Sequence, residues 1–152
     1  MIRVLFICHG NICRSPMAQF IMQDLVRKSG LQDCFQIASA ATSTEEIGNS
    51  IYPPAQKTLT AHGVAFGHHA ARQLQKQDYA RYDLLIGMDY ANIRNMQRIC
   101  GGDSEQKIHL LMDYSNTPGK EVADPWYTGN FETTWQDVLS GCQGLLQTLS
   151  GK

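Results

Sequence analysis

One stretch constrains this chain more than any other: Cys8-His9-Gly10-Asn11-Ile12-Cys13-Arg14-Ser15-Pro16, a polar loop set between two apolar segments. Before it, Val4, Leu5, Phe6 and Ile7 form the short continuous apolar run of a strand buried on both faces. After it, Ile21, Met22, Leu25 and Val26 recur at helical spacing until Gly30. Ser15 has N-cap chemistry, and Pro16 suits a first helical position because its missing N–H has no partner there in any case.

A loop that joins a strand end to a helix start turns its backbone N–H groups inward, where the positive end of the helix dipole adds to them. Gly10 and Asn11 tolerate the left-handed dihedrals that such a ring demands. Cys8 then sits where the dipole and the Arg14 guanidinium both favour a thiolate, and Arg14 closes the ring with a planar fork matched to two phosphoryl oxygens. A cysteine alone at a strand end is usually a small buried hydrophobe. A cysteine with an arginine six residues on, followed by serine at a strand-to-helix junction, is more specific, and reads as a nucleophile within a phosphate cradle running from His9 to Ser15. The glycine-lysine signature of a nucleotide-binding loop is absent.

The rest of the chain alternates. Strands are expected at Phe35 to Ala41, Tyr82 to Met88 and Lys107 to Leu111. Helices are expected from Pro53 to about His62, over one or two turns at Gln75 to Ala80, from Tyr90 to Cys100 behind an Asp89 cap, and from Phe131 to Leu149 behind an Asn130 cap. Met112 to Tyr127 is polar, holds Pro118, Gly119 and Pro125, and reads as a long functional loop. The pattern implies an α/β fold: a single domain over residues 1–152, with a four-stranded parallel sheet, helices on both faces and the phosphate-binding loop after the first strand. Ligands of such sheets bind beyond the carboxyl ends of the strands, where Cys8, Ser39 and Asp89 all fall.

Thirteen basic and fourteen acidic residues give a net charge of -1, so no nucleic-acid or membrane partner is expected. No apolar run is long enough to span a bilayer, and Met1 leads straight into the first strand. Five cysteines, odd in number and irregularly spaced, argue for free thiols in a reducing, cytoplasmic setting. No regular ligand spacing supports a zinc site, so neither a metal nor any other cofactor is expected.

The Cys8 to Pro16 loop resembles that of the low-molecular-weight protein tyrosine phosphatases, and the resemblance extends from Ile2 to about Leu149. It includes Asp124-Pro125-Trp126-Tyr127, where the family carries its general acid. His9 stands where a small or aliphatic residue is expected. The resemblance implies hydrolysis of phosphotyrosine in a protein, or of a small aryl phosphate, through a cysteinyl-phosphate, with inorganic phosphate as product. It assigns Cys8 as nucleophile, Arg14 as transition-state anchor and Asp124 as acid, although an Asp before Pro is also a common turn starter. In that chemistry the Ser15 hydroxyl is expected to donate to the sulfur and ease its departure, with a plain helix cap as the alternative. It groups Asn11, Ser39 and His69 behind the loop, with His68 as a rival for the last. At the rim, where the family often offers a stacking aromatic, this sequence has Glu45 and Glu46, which leaves Trp126 and Tyr127 as the aromatic walls. Cys13 is placed to trap an oxidised Cys8 as a disulfide. A related arsenate reductase would need further cysteines near Asp78 to Asp89, and none is there. A plain phosphate-binding module would need neither the thiol nor the acid.

Overall fold

A computed structural model describes residues 1–151. In chain order it runs β1 (Ile2–Cys8), α1 (Arg14–Lys28), β2 (Phe35–Ala41), α2 (Pro53–Ala61), α3 (Asp78–Arg81), β3 (Leu84–Gly87), α4 (Tyr90–Cys100), β4 (Ile108–Leu110), α5 (Pro125–Thr128) and α6 (Phe131–Ser150). The four strands form one parallel sheet in the order β2-β1-β3-β4. The expected α/β architecture is therefore the observed one.

The central strand β1 shows why both faces must be covered. Val4 and Phe6 pack with Met17 and Ile21 of α1, Leu59 of α2 and Val138 of α6, whereas Leu5 and Ile7 join Met96 and Cys100 of α4 on the opposite side. Each face of the strand is apolar, so each attracts its own helical layer. Phe6 is wholly buried, and its truncation to alanine should cost about 3–5 kcal/mol.

Two details position the site. Asp89 caps α4 by accepting from the Asn92 N–H at 2.7 Å, and Gly101 closes the helix in the left-handed conformation. The expected loop from Met112 onward begins instead with a 3-10 turn at Leu111–Tyr114, against which α6 packs closely. A Cβ at Gly144 would lie 1.8 Å from the Tyr114 carbonyl oxygen, so only glycine permits this approach. The turn launches the segment that carries Asp124. Among the described residues, no helix is long and apolar enough to cross a membrane.

Candidate active site

The carboxyl end of β1 delivers Cys8 to the floor of a pocket lined by His9, Gly10, Ile12, Cys13 and Arg14 of the loop, together with Glu45, Glu46, Asp124, Trp126 and Tyr127. Three polar groups converge on its sulfur. The backbone N–H groups of Asn11 and Ser15 approach Sγ at 3.3 and 3.4 Å, and the Ser15 hydroxyl lies 3.0 Å away. Cys8 is 3% exposed, so these bonds act where water does not compete with them.

Ser15 does not cap α1, which begins one residue earlier at Arg14 and has no side-chain cap. Its hydroxyl is used inside the loop. It accepts from Asn11 Nδ2 at 2.8 Å, and its own proton has two acceptors in reach, the Cys8 sulfur at 3.0 Å and the Ala40 carbonyl at 3.4 Å, of which the sulfur is the nearer. Asn11 holds a left-handed φ of 60°, a conformation that costs most residues roughly 1–2 kcal/mol. Three bonds fix it there: Nδ2 to Ser15, Oδ1 from the Arg72 N–H at 3.2 Å, and its carbonyl against His69 Nε2 at 2.7 Å. His69, not His68, makes that contact. Burial drives the His69 pKa down, which favours a neutral ring donating Nε2–H to the carbonyl.

Ser39 is not part of this group. It pairs with Phe6 in register, faces the same side of the sheet as Phe6, and donates to Gln19 of α1 at 2.6 Å. The single hydroxyl proton is committed there, away from Asn11.

Arg14 is buried and meets two carboxylates. Nη1 donates to Asp89 Oδ2 at 2.7 Å and to the Val122 carbonyl at 2.9 Å, and Nη2 lies 3.5 Å from Asp124 Oδ2. Burial opposes its charge, but Cys8, Asp89 and Asp124 outweigh that penalty and raise its pKa above the ordinary value. The sequence reading found Asp89 as a cap and placed it at the mouth, but did not join it to Arg14. One oxygen serves each purpose, and the position of Asp89 just past β3 was the signal. Arg72 and the Val122 carbonyl were also missed, since a backbone atom carries no sequence signature.

The two loop cysteines differ. Cys8 receives hydrogen bonds, whereas burial, with the nearby charges of Cys8 and Asp124, pushes the Cys13 thiol up to about 12. Burial thus disfavours the Cys13 thiolate, the form that would attack an oxidised Cys8.

Asp124 caps the short helix α5, accepting from the Trp126 N–H at 3.1 Å through Oδ1 while Oδ2 faces Arg14. The turn reading and the placement beside Arg14 thus hold together. On the rim, Trp126 and Tyr127 are 52% and 82% exposed, and Tyr52 supports Trp126 from below at 4.8 Å between centroids. Across the mouth, His9 Nε2 lies 3.0 Å from Glu45 Oε2, and Glu46 accepts from Asn49.

Residues 3–152 match the family model described as low molecular weight phosphotyrosine protein phosphatase. The chain belongs to that family. It is 40% identical over 150 residues to the low molecular weight protein-tyrosine-phosphatase YfkJ of Bacillus subtilis, covering 98% of this chain and 96% of that one. It is 36% identical to the human low molecular weight phosphotyrosine protein phosphatase, covering 95% and 93%. The crystal structure of Bacillus subtilis YfkJ superposes with a TM-score of 0.94 over 99% of this chain and 96% of that one. This phosphatase is thus a phosphoric monoester hydrolase, with Cys8 at the mouth of its parallel sheet.

Proposed function

We propose that the phosphatase, with the whole chain as one catalytic domain, hydrolyses phosphotyrosine in proteins, and small aryl phosphates, through a phosphoryl group carried on Cys8. The convergence of two backbone N–H groups and the Ser15 hydroxyl on the Cys8 sulfur beside Arg14 is the observation that carries this reading. A sulfur lone pair forms the S–P bond as the P–O bond to the phenol breaks, and Asp124 supplies a proton to the departing oxygen. The loop N–H groups from His9 to Ser15 and the Arg14 fork hold the equatorial oxygens throughout. Water then attacks phosphorus, Asp124 takes its proton, and the S–P bond breaks to free inorganic phosphate. The Ser15 hydroxyl eases departure of the sulfur by donating to it.

Trp126 and Tyr127 form an aromatic wall for the substrate ring, and Glu45 and Glu46 an acidic wall that favours basic residues beside the phosphotyrosine. Five free cysteines fit a reducing, cytoplasmic setting. The deciding experiment is acid quenching of Asp124→Ala during turnover of p-nitrophenyl phosphate, followed by peptide mass spectrometry. One phosphoryl group should appear on the Cys8 peptide, and Cys8→Ser should show neither adduct nor turnover. An adduct elsewhere, or turnover by Cys8→Ser, would overturn the mechanism.

A further inference from the structure

The segment that carries Asp124 has no regular structure between the 3-10 turn at Leu111–Tyr114 and α5, yet Asp124 must meet the leaving oxygen at hydrogen-bond distance. Besides the Lys120–Asp137 ion pair at 2.9 Å and the Thr134 hydroxyl on the Ala123 carbonyl at 3.5 Å, the first residue of α4 makes two of the contacts that hold it. The Glu121 carboxylate accepts from the Tyr90 N–H at 2.9 Å, filling one of the helix-start donors that Asp89 leaves open. In return the Tyr90 hydroxyl donates to the Gly119 carbonyl at 3.2 Å. Between these contacts and Asp124, the Val122 N–H reaches the Met88 carbonyl at 2.9 Å, and the Val122 carbonyl accepts from Arg14. Glu121 itself is exposed and does not line the pocket.

We propose that Glu121, with Tyr90, is a positioning latch that sets Asp124 over the leaving group. The start of α4 then serves both halves of the reaction: Asp89 orients the Arg14 fork, and Glu121 orients the acid. This rests on the reading of Asp124 as proton donor. Its signature is selective, because only a poor leaving group depends on a well-placed proton, whereas a general loss of structure would slow every substrate alike.

The test compares kcat/KM for phenyl phosphate and p-nitrophenyl phosphate in wild type, Glu121→Ala, Glu121→Gln and Asp124→Ala. Glu121→Ala should lose about ten-fold on phenyl phosphate, in line with a small misplacement of a catalytic group, and less than about two-fold on p-nitrophenyl phosphate, whose leaving group departs unaided. Glu121→Gln keeps an acceptor oxygen and should restore the phenyl phosphate rate to within about two-fold. Equal losses of Glu121→Ala on both substrates, no loss on either, or a Gln variant as poor as Ala would each overturn the latch. If Asp124→Ala itself shows no leaving-group selectivity, the acid assignment fails and the latch with it. Selectivity in Asp124→Ala without selectivity in Glu121→Ala overturns the latch alone.

Discussion

The loop from Cys8 to Ser15 and the two segments that overhang it are built in opposite ways. From Ile12 to Ser15 the loop is buried, and Cys8 and Asn11 are buried with it. Asn11, Arg14 and Ser15 each have protein partners for their polar side chains. The segments carrying Glu45, Glu46, Trp126 and Tyr127 are largely exposed. On the proposed mechanism the transferring phosphoryl group presents the same three oxygens whatever the substrate, so a cradle for it gains from being fixed before binding. Leaving groups and flanking residues vary, and the parts that meet them face solvent.

The sharpest way to break that contrast is at Arg14. Arg14→Ala should cut kcat/KM by roughly a thousand-fold or more, because a developing charge loses its fork and Asp89 and Asp124 are left facing the phosphate. The loss should be the same for aryl phosphates of any leaving-group strength. A residual rate within ten-fold of wild type would show that the backbone N–H groups suffice.

A smaller effect should follow from loosening the frame behind the cradle. His69→Ala removes one of the three bonds that hold Asn11 at its positive φ, and kcat/KM should fall roughly ten-fold, again without regard to leaving group. A leaving-group-dependent loss would place His69 with the acid segment instead. The Glu121 comparison above is the converse test on that segment.

The rim should give the smallest response. Replacing Glu45 and Glu46 with glutamine should remove a preference of about two- to three-fold for phosphotyrosine peptides with flanking lysine over flanking glutamate, measured at low salt. High salt should abolish the preference in wild type. His9 already lies against Glu45, so Glu46→Gln alone should account for most of the change. Equal rates for both peptides at low salt would mean that the acidic rim has no part in substrate choice.

Much of this was legible because it is local. The expected bounds of α4 match those observed, because a cap at Asp89 and a glycine pair after Cys100 bracket it within one element. Strand β2 fell at its expected residues for the same kind of reason. Local patterns left open, or misassigned, the side chains that had a choice of partners. Ser15 could serve either as a helix cap or as a partner of the Cys8 sulfur, and it turns inward to Cys8 and Asn11. Ser39 looked like a support for Asn11, but strand alternation points it at Gln19.

The sequence by itself determined the strand-loop-helix unit around Cys8, the parallel sheet and the short list of reactive groups, since these follow from periodicity, glycine and proline placement, and residue chemistry within a few positions. Only the tertiary structure decided which of those groups meet. Arg14 lies 75 residues from Asp89 and 110 from Asp124. Their encounter depends on β3 lying beside β1 and on α6 clamping the turn that launches the Asp124 segment. Distances of that kind are fixed by how buried surfaces pack against one another, and no local pattern encodes them.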